Sequence, residues 1–236
     1  TAESIEVSAT SLSTAAGTDA GNLTFNGAVV LEESLVITTD GTSTDGFVLF
    51  NGLVDSQATE GNALTVSAGN EDVTFVDALG SGGDGYLGDV IVNSTGQTLF
   101  SASVQSASLT TNAGGITRLN GDVSTAGAQT YGDAVQIDNH VSLTTTNSSV
   151  LFANTVDSQA TEANSLTISV GTGDITFTGA VGGATDGALG VLTISSANDV
   201  TAAEITAANL VQENGTGTTM LGGVVTLSGI LDFDGN

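Results

Sequence analysis

The sequence predicts an all-β protein, and a parallel β-helix is the fold that fits it best. Three observations support this prediction: short runs that alternate aliphatic and polar residues, turns rich in Gly, Asn and Asp between them, and an internal repeat. Alternation with a period of two is typical of strands that bury one face. Small and β-branched residues suit thin sheets joined by tight turns.

The predicted strands are short, and their usual pattern is an aliphatic residue, a threonine and a second aliphatic residue. They lie at 64–67, 73–76, 90–92, 108–111, 166–169, 175–178 and 192–194. The segment 200–212, VTAAEITAANLVQ, has the best helical pattern in the chain. It also fits two short strands and lies inside the repeat, so we predict strands there.

The internal repeat is long. Residues 47–80 and 149–182 are identical at 20 of 34 aligned positions, without a gap, at an offset of 102 residues. The heptapeptide VDSQATE occurs at 54–60 and again at 156–162. We predict one continuous array over 1–236, with a partial unit at 1–46, a full unit at 47–148 and a second, incomplete unit at 149–236. The pattern starts and ends within a unit, so we expect the chain to be part of a longer array.

Two architectures fit a unit of this size. In a β-helix with coils of about 20 residues, each unit would form about five coils. Tandem β-sandwich domains are the alternative, because about 100 residues is the usual size of an immunoglobulin-like module. The chain has no Trp, Pro or Cys, and no linker separates the copies, which favours the β-helix.

Composition excludes several functions. The chain has 26 acidic residues and one basic residue, Arg118, for a net charge of −25. Binding to nucleic acid needs clustered Lys or Arg, so we expect no nucleic-acid partner, and the charge also opposes an anionic membrane surface. No apolar run is long enough to span a bilayer, so we expect no direct membrane insertion. Hydrophobic residues make up 39%, which is too many for a disordered acidic chain.

Groups that could support catalysis are scarce, and we predict no catalytic residue. A Ser-His-Asp arrangement would have to use His140, which lies on a predicted strand without a nucleophile elbow. The carboxylates of VDSQATE recur in both copies, which indicates architecture, and we predict a turn in which Asp and Ser bond to backbone and Glu faces solvent. Arg118 aligns with Met220 in the other copy, which indicates a local salt bridge and no shared role.

Calcium is the cofactor that the sequence best supports, because hard cations bind several carboxylate, carbonyl and amide oxygens. The candidate ligands are Asp232, Asp234 and Asn236 in a D-x-D-G-N pattern, and Asp84 and Asp186 in aligned Asp-Gly turns. Asp72 and Asp174 also align between the copies. Simple turn chemistry, in which Asp caps the turn and Gly takes a positive φ, is the alternative interpretation.

Three segments carry a family resemblance: LTFNGAV from Leu23, LTISVGTGDITFTGAVGG from Leu166, and LGVLTISSANDVTAAEIT from Leu189. They resemble repeats of large bacterial surface proteins of the filamentous-haemagglutinin-like and autotransporter-adhesin type, and the resemblance covers nearly the whole chain. It implies a right-handed parallel β-helix that forms a shaft on the cell surface. The unit of 102 residues, with only partial sub-repeats, departs from regular coil-by-coil repetition.

These observations together predict a non-catalytic structural segment of an extracellular rod, filament or surface adhesin. We expect self-association into rods or filaments, and a ligand on a host surface or in a matrix. Two alternatives stay open: a pair of calcium-dependent β-sandwich adhesin modules, and a carbohydrate-active β-helix enzyme, which would need clustered acidic loops.

Overall fold

The fold is a β-solenoid. A computed structural model describes residues 4–15, 17–80, 85–185 and 187–234, and the regular structure in these residues is all β. The strands pair in parallel and form about 11 solenoid turns. This confirms the predicted β-helix, and the tandem β-sandwich alternative is wrong because sandwiches pair their strands antiparallel. The described residues contain no helix that is long and apolar enough to cross a membrane.

The chain divides into two compact units, Thr1–Arg118 (unit 1) and Leu119–Asn236 (unit 2). Unit 1 has three parallel sheets, and consecutive strands of the chain belong to different sheets. Sheet A contains β1, β4 and β7, sheet B contains β2, β5, β8, β10 and β12, and sheet C contains β3, β6, β9 and β11. The strands are β1 Ile5–Val7, β2 Ser11–Ser13, β3 Leu23–Phe25, β4 Val29–Leu31, β5 Leu35–Thr38, β6 Val48–Phe50, β7 Val54–Ser56, β8 Leu64–Gly69, β9 Val73–Phe75, β10 Leu87–Ser94, β11 Gln97–Phe100, β12 Val104–Thr111 and β13 Ile116–Leu119, of which the last residue belongs to unit 2.

Unit 2 follows the same plan. Sheet D contains β14, β17, β20, β22, the end of β24 and β27, and sheet E contains β15, β18, β21, β23 and β25. Sheet F pairs β16 with β19, and the start of β24 with β26. The strands are β14 Val123–Thr125, β15 Gln129–Tyr131, β16 Ala134–Ile137, β17 Val141–Thr145, β18 Val150–Phe152, β19 Val156–Ser158, β20 Leu166–Ser169, β21 Ile175–Phe177, β22 Leu189–Ser196, β23 Val200–Ala202, β24 Ile205–Gln212, β25 Thr219–Leu221, β26 Val225–Leu227 and β27 Leu231–Phe233.

The coils differ in length. In both units, hydrogen bonds between neighbouring coils commonly join residues 25 apart in sequence, as when Val48 pairs with Val73. Elsewhere the separation falls to between 18 and 21 residues. The expected coil of about 20 residues is therefore wrong for the segments that carry the sequence repeat, and it holds only for the shorter coils.

Strand residues alternate between a buried and an outward side chain, as the sequence predicts. In β8, Leu64 and Val66 are buried while Thr65 faces outward, and β9, β20 and β21 repeat this pattern. The segment 200–212 forms the strands β23 and β24, as predicted from its place in the repeat. Burial of thin aliphatic rows thus gives each sheet a packed inner face.

The interior also contains columns of aromatic rings, which we did not expect from so few aromatic residues. On sheet C, Phe25, Phe50, Phe75 and Phe100 stack with centroid distances of 4.7, 5.1 and 5.2 Å and interplanar angles of at most 9°. These distances match the spacing of neighbouring strands. On sheet E, Tyr131, Phe152 and Phe177 form a second column at 5.1 and 4.9 Å.

Two equivalent glycines allow close contact between coils. Gly80 and Gly182 both have a φ of +67°, which L residues with a side chain rarely adopt. A Cβ atom on either glycine would lie 2.0 Å from a backbone oxygen, that of Gln105 or of Thr206. Only glycine fits these two corners without a shift of the backbone.

Candidate functional site

The polar groups with the clearest roles lie at corners of the solenoid, where side chains accept hydrogen bonds from backbone of the next coil. Beside sheet D, Asp122 Oδ1 accepts from the N–H of Ser142 at 2.8 Å. His140 Nδ1 accepts from the N–H of Ser165 at 2.9 Å, and Ser165 Oγ accepts from the next coil at 2.9 Å. Such bonds satisfy backbone donors where the chain leaves the ladder of a sheet.

His140 is therefore an acceptor in this corner. It is exposed, and its Nδ1 atom is occupied by a backbone donor. A Ser-His-Asp triad would place a nucleophile on one imidazole nitrogen and a carboxylate on the other. His140 lies at the edge of a strand, directly before the first residue of β17, Val141.

The aligned carboxylates Asp72 and Asp174 have the same kind of role at a second corner. Asp72 Oδ1 accepts from the N–H of Gln97 at 2.8 Å. Asp174 Oδ1 accepts from the N–H of Asp199 at 3.0 Å and from Asn198 Nδ2 at 2.9 Å. The backbone bond, with the Asn198 amide, lowers the pKa of Asp174. Both carboxylates therefore bond to the backbone of the next coil and not to their own turn.

The two copies of VDSQATE form the same loop. Each begins as a strand, β7 or β19, and the following residues 57–60 and 159–162 form a turn. Ser56 Oγ accepts from the N–H of Asn62 at 2.8 Å. In the second copy Ser158 Oγ accepts from the N–H of Asn164 at 2.7 Å. The predicted turn, with serine bonded to backbone, is confirmed.

Further bonds explain why the acidic and amide residues of the loop recur. Asn62 Nδ2 donates to the carbonyl of Leu31 in the previous coil and to Glu60 Oε2, at 2.9 and 3.1 Å. Asn164 makes the equivalent bonds at 3.2 and 3.4 Å. Asp157 Oδ1 accepts from the N–H of Ala184 at 2.9 Å. Both glutamates are exposed, as predicted.

The same loop holds a threonine in an unfavourable backbone conformation. Thr59 has a φ of 72° and Thr161 a φ of 73°. A positive φ is costly for a β-branched residue. Because both copies keep this threonine, the surrounding hydrogen bonds must hold the loop against the strain.

The calcium prediction involves residues of which only some are described. Asp84, Asp186 and Asn236 lie outside the described residues. Asp232 is exposed on β27, and Asp234 lines a cavity of about 470 Å³ together with Gln212, Thr219 and Phe233. Among the described residues, no three His, Cys, Asp or Glu side chains group closely enough to hold a metal ion. Calcium binding stays a prediction, which melting temperatures in calcium and in EDTA would test.

Arg118 lies in unit 1, where its Nη1 atom donates to Gln97 Oε1 at 3.2 Å. The predicted salt bridge at this residue stays a prediction. The sequence does not reveal the corner acceptors, because each of them bonds to a residue in another coil and the pairing of coils has to be known first.

Comparison with protein-family models, curated proteins and solved structures finds no match to this chain. The β-solenoid fold is compatible with the β-helical repeats of the surface proteins that the sequence resembles.

Proposed function

We propose that this chain is a non-catalytic structural segment of an extracellular or cell-surface protein, of the filamentous-haemagglutinin-like or autotransporter-adhesin type. The observation that supports this most is the use of polar side chains at the corners. His140, Asp122, Asp72 and Asp174 all accept hydrogen bonds from the backbone of a neighbouring coil. Residue types that enzymes use for proton transfer are here engaged in joining one coil to the next.

Resistance to proteolysis tests the structural role. Trypsin is a poor probe because the chain has a single Lys or Arg, so a protease of broad specificity such as proteinase K is needed. We expect slow cleavage of the native chain, and faster cleavage of Asp122→Ala, which loses the acceptor for the N–H of Ser142. The control is Asp232→Ala on exposed β27. Cleavage of the native chain as fast as in urea would contradict the proposal.

The enzyme alternative has its own test. Incubation with polysaccharides and an assay for new reducing ends would detect hydrolysis. Reducing ends that form with the wild type but not with Glu60→Gln or Glu162→Gln would show a carbohydrate-active enzyme instead of a structural segment, because paired carboxylates carry out glycoside hydrolysis.

Antibody labelling of intact cells of the source organism tests the proposed surface location.

We propose that the partner of this chain is a second copy of itself. Leu231 and Phe233 on β27 pair with Leu210 and Gln212 of β24, which are buried. On β27 the same positions are 53% and 42% exposed, and a further coil of the same chain or a strand of a second copy would bury them. Sedimentation should show assembly of the wild type and less assembly of Leu231→Asp. Equal sedimentation of the wild type and this variant would contradict the contact.

A further inference from the structure

Tyr86 is an exposed aromatic residue in the coil that pairs with the VDSQATE loop of unit 1. Its side chain is 52% exposed, more than any other aromatic residue in the described parts of the chain. The neighbouring Gly85 carbonyl accepts from the N–H of Ser56 at 3.1 Å, and the N–H of Gly88 donates to the Asn62 carbonyl at 2.9 Å. These two bonds connect the backbone on either side of Tyr86 to both ends of the turn 57–60.

The turn beside Tyr86 presents polar side chains to solvent. Gln57, Thr59 and Glu60 are all exposed. Glu60 makes one bond, to Asn62, and the Gln57 side chain makes none among the described residues. The Ser56 and Asn62 bonds fix the backbone of the loop, so a ligand would have to order only the side chains of the turn.

We propose that Tyr86 and the turn 57–60 form a binding site for a neutral saccharide. A tyrosine ring offers an apolar face, on which the C–H face of a sugar ring can pack, with a polar hydroxyl at its edge. Amide, hydroxyl and carboxylate groups beside the ring can bond to sugar hydroxyls and fix their orientation. An anionic ligand is disfavoured, because the chain has 26 acidic residues and one basic residue.

Unit 2 contains the same loop without the aromatic residue. Ser158 donates to the Gly187 carbonyl at 2.9 Å and Gly190 donates to the Asn164 carbonyl at 2.9 Å, which matches the bonds around Tyr86. Ala188 occupies the place of Tyr86. Unit 2 is therefore a natural control within the chain, and only unit 1 should bind. The proposal goes beyond the structural role, and either can fail without the other.

Affinity electrophoresis in gels that contain dextran, mannan, galactan or xylan tests for the site. At least one of these polysaccharides should retard the wild-type chain.

Tyrosine fluorescence gives a second readout. The chain has no Trp and two Tyr, and because Tyr131 is buried, a quencher in solution reaches mainly Tyr86. The polysaccharide that retards the chain should also protect tyrosine emission from quenching by acrylamide, a neutral quencher that the negative charge of the chain does not repel.

Three variants locate the binding. Tyr86→Ala should weaken retardation by about tenfold or more, as truncation of an aromatic anchor does at binding sites. Tyr86→Phe should keep most of the binding, and Ala188→Tyr should strengthen retardation by creating a second site. Val36→Ala, at an exposed position of sheet B, is the control. Melting temperatures show whether each variant is folded.

Two results would overturn the proposal. The first is a folded wild-type chain that none of the four polysaccharides retards, which would point to another kind of ligand, such as a protein. The second is a Tyr86→Ala variant that binds as tightly as the wild type. Neither result would bear on the protease resistance expected of the structural segment.

Discussion

The hydroxyl of Tyr131 donates a 3.0 Å hydrogen bond to Oε1 of Gln129 inside unit 2. Both side chains are buried. Gln129 Nε2 donates in turn to the carbonyl oxygens of Val123 and Thr144, at 3.3 and 3.0 Å. Burial raises the pKa of Tyr131 far above its ordinary value of 10.0, because the phenolate would lose its hydration.

Tyr131 should make the protein sensitive to alkali. A raised pKa in the folded state means that the neutral phenol contributes stability that is fully present below the unfolded pKa of about 10. Above that pH the unfolded chain releases the proton more readily, so stability falls by up to about 1.4 kcal/mol per pH unit. Urea unfolding at several pH values between about 8 and 12 should show this slope, and Tyr131→Phe should lack it. The same slope in wild type and variant would refute the assignment.

The stacked phenylalanines should contribute strongly to stability. Phe50 is fully buried between Phe25 and Phe75, so Phe50→Ala should cost about 3–5 kcal/mol of unfolding free energy. Its neighbour Leu49 lies on the outward side of β6. Leu49→Ala is the matched control and should cost less than about 1 kcal/mol. Chemical denaturation measures both values, and similar losses for the two would show that the column has no special importance.

The corner glycine of unit 2 should not tolerate a side chain. Gly182→Ala places a Cβ atom at a φ of +67° and 2.0 Å from the Thr206 carbonyl oxygen. We expect a loss of at least about 2 kcal/mol, since the left-handed conformation alone costs about 1–2 kcal/mol. In Gly222→Ala the nearest atom lies at an ordinary 3.5 Å, and this variant should unfold almost like the wild type. A stable Gly182→Ala protein would mean that this corner can rearrange.

Asp174 should make the protein sensitive to acid. Its pKa is lowered first by the bond from the Asp199 N–H and then by that from Asn198. A lowered pKa in the folded state gives stability that is present above the unfolded pKa of about 3.9 and is lost as the pH falls through the folded pKa. Asp174→Asn keeps an acceptor oxygen and removes the titration, so its melting temperature should change less below about pH 4. An unchanged acid dependence would show that Asp174 does not contribute to it.

Much of the fold follows from local sequence. The alternation in Leu64, Thr65 and Val66 predicts a strand with one buried face, and parallel coils give every such strand the same environment. The coil length was missed, although its signal is visible in the sequence: Phe25, Phe50, Phe75 and Phe100 are evenly spaced by one coil. Phenylalanine is rare in this chain, so its fixed interval indicates the coil length more clearly than the frequent aliphatic residues do. The stacked rings also fix the register, because a shift of the coil would break the column.

The roles of the polar residues were harder to predict. The turn formed by VDSQATE could be read from the sequence, because serine bonds to backbone only six residues away. His140 and Asp174 bond to residues 25 positions further along the chain. Only the register between coils identifies those partners. Tyr86 has no recognisable pattern around it, and its exposure becomes clear only when the strand β10 is placed against the loop.

The regular register of the longer coils also limits how such a chain can evolve. Where contacts repeat every 25 residues, a duplication or deletion of 25 residues keeps the strands in register across the join. A change of one residue within a strand turns buried side chains outward, and natural selection would remove it. Related genes should therefore differ in length by whole coils, with other insertions confined to exposed corners.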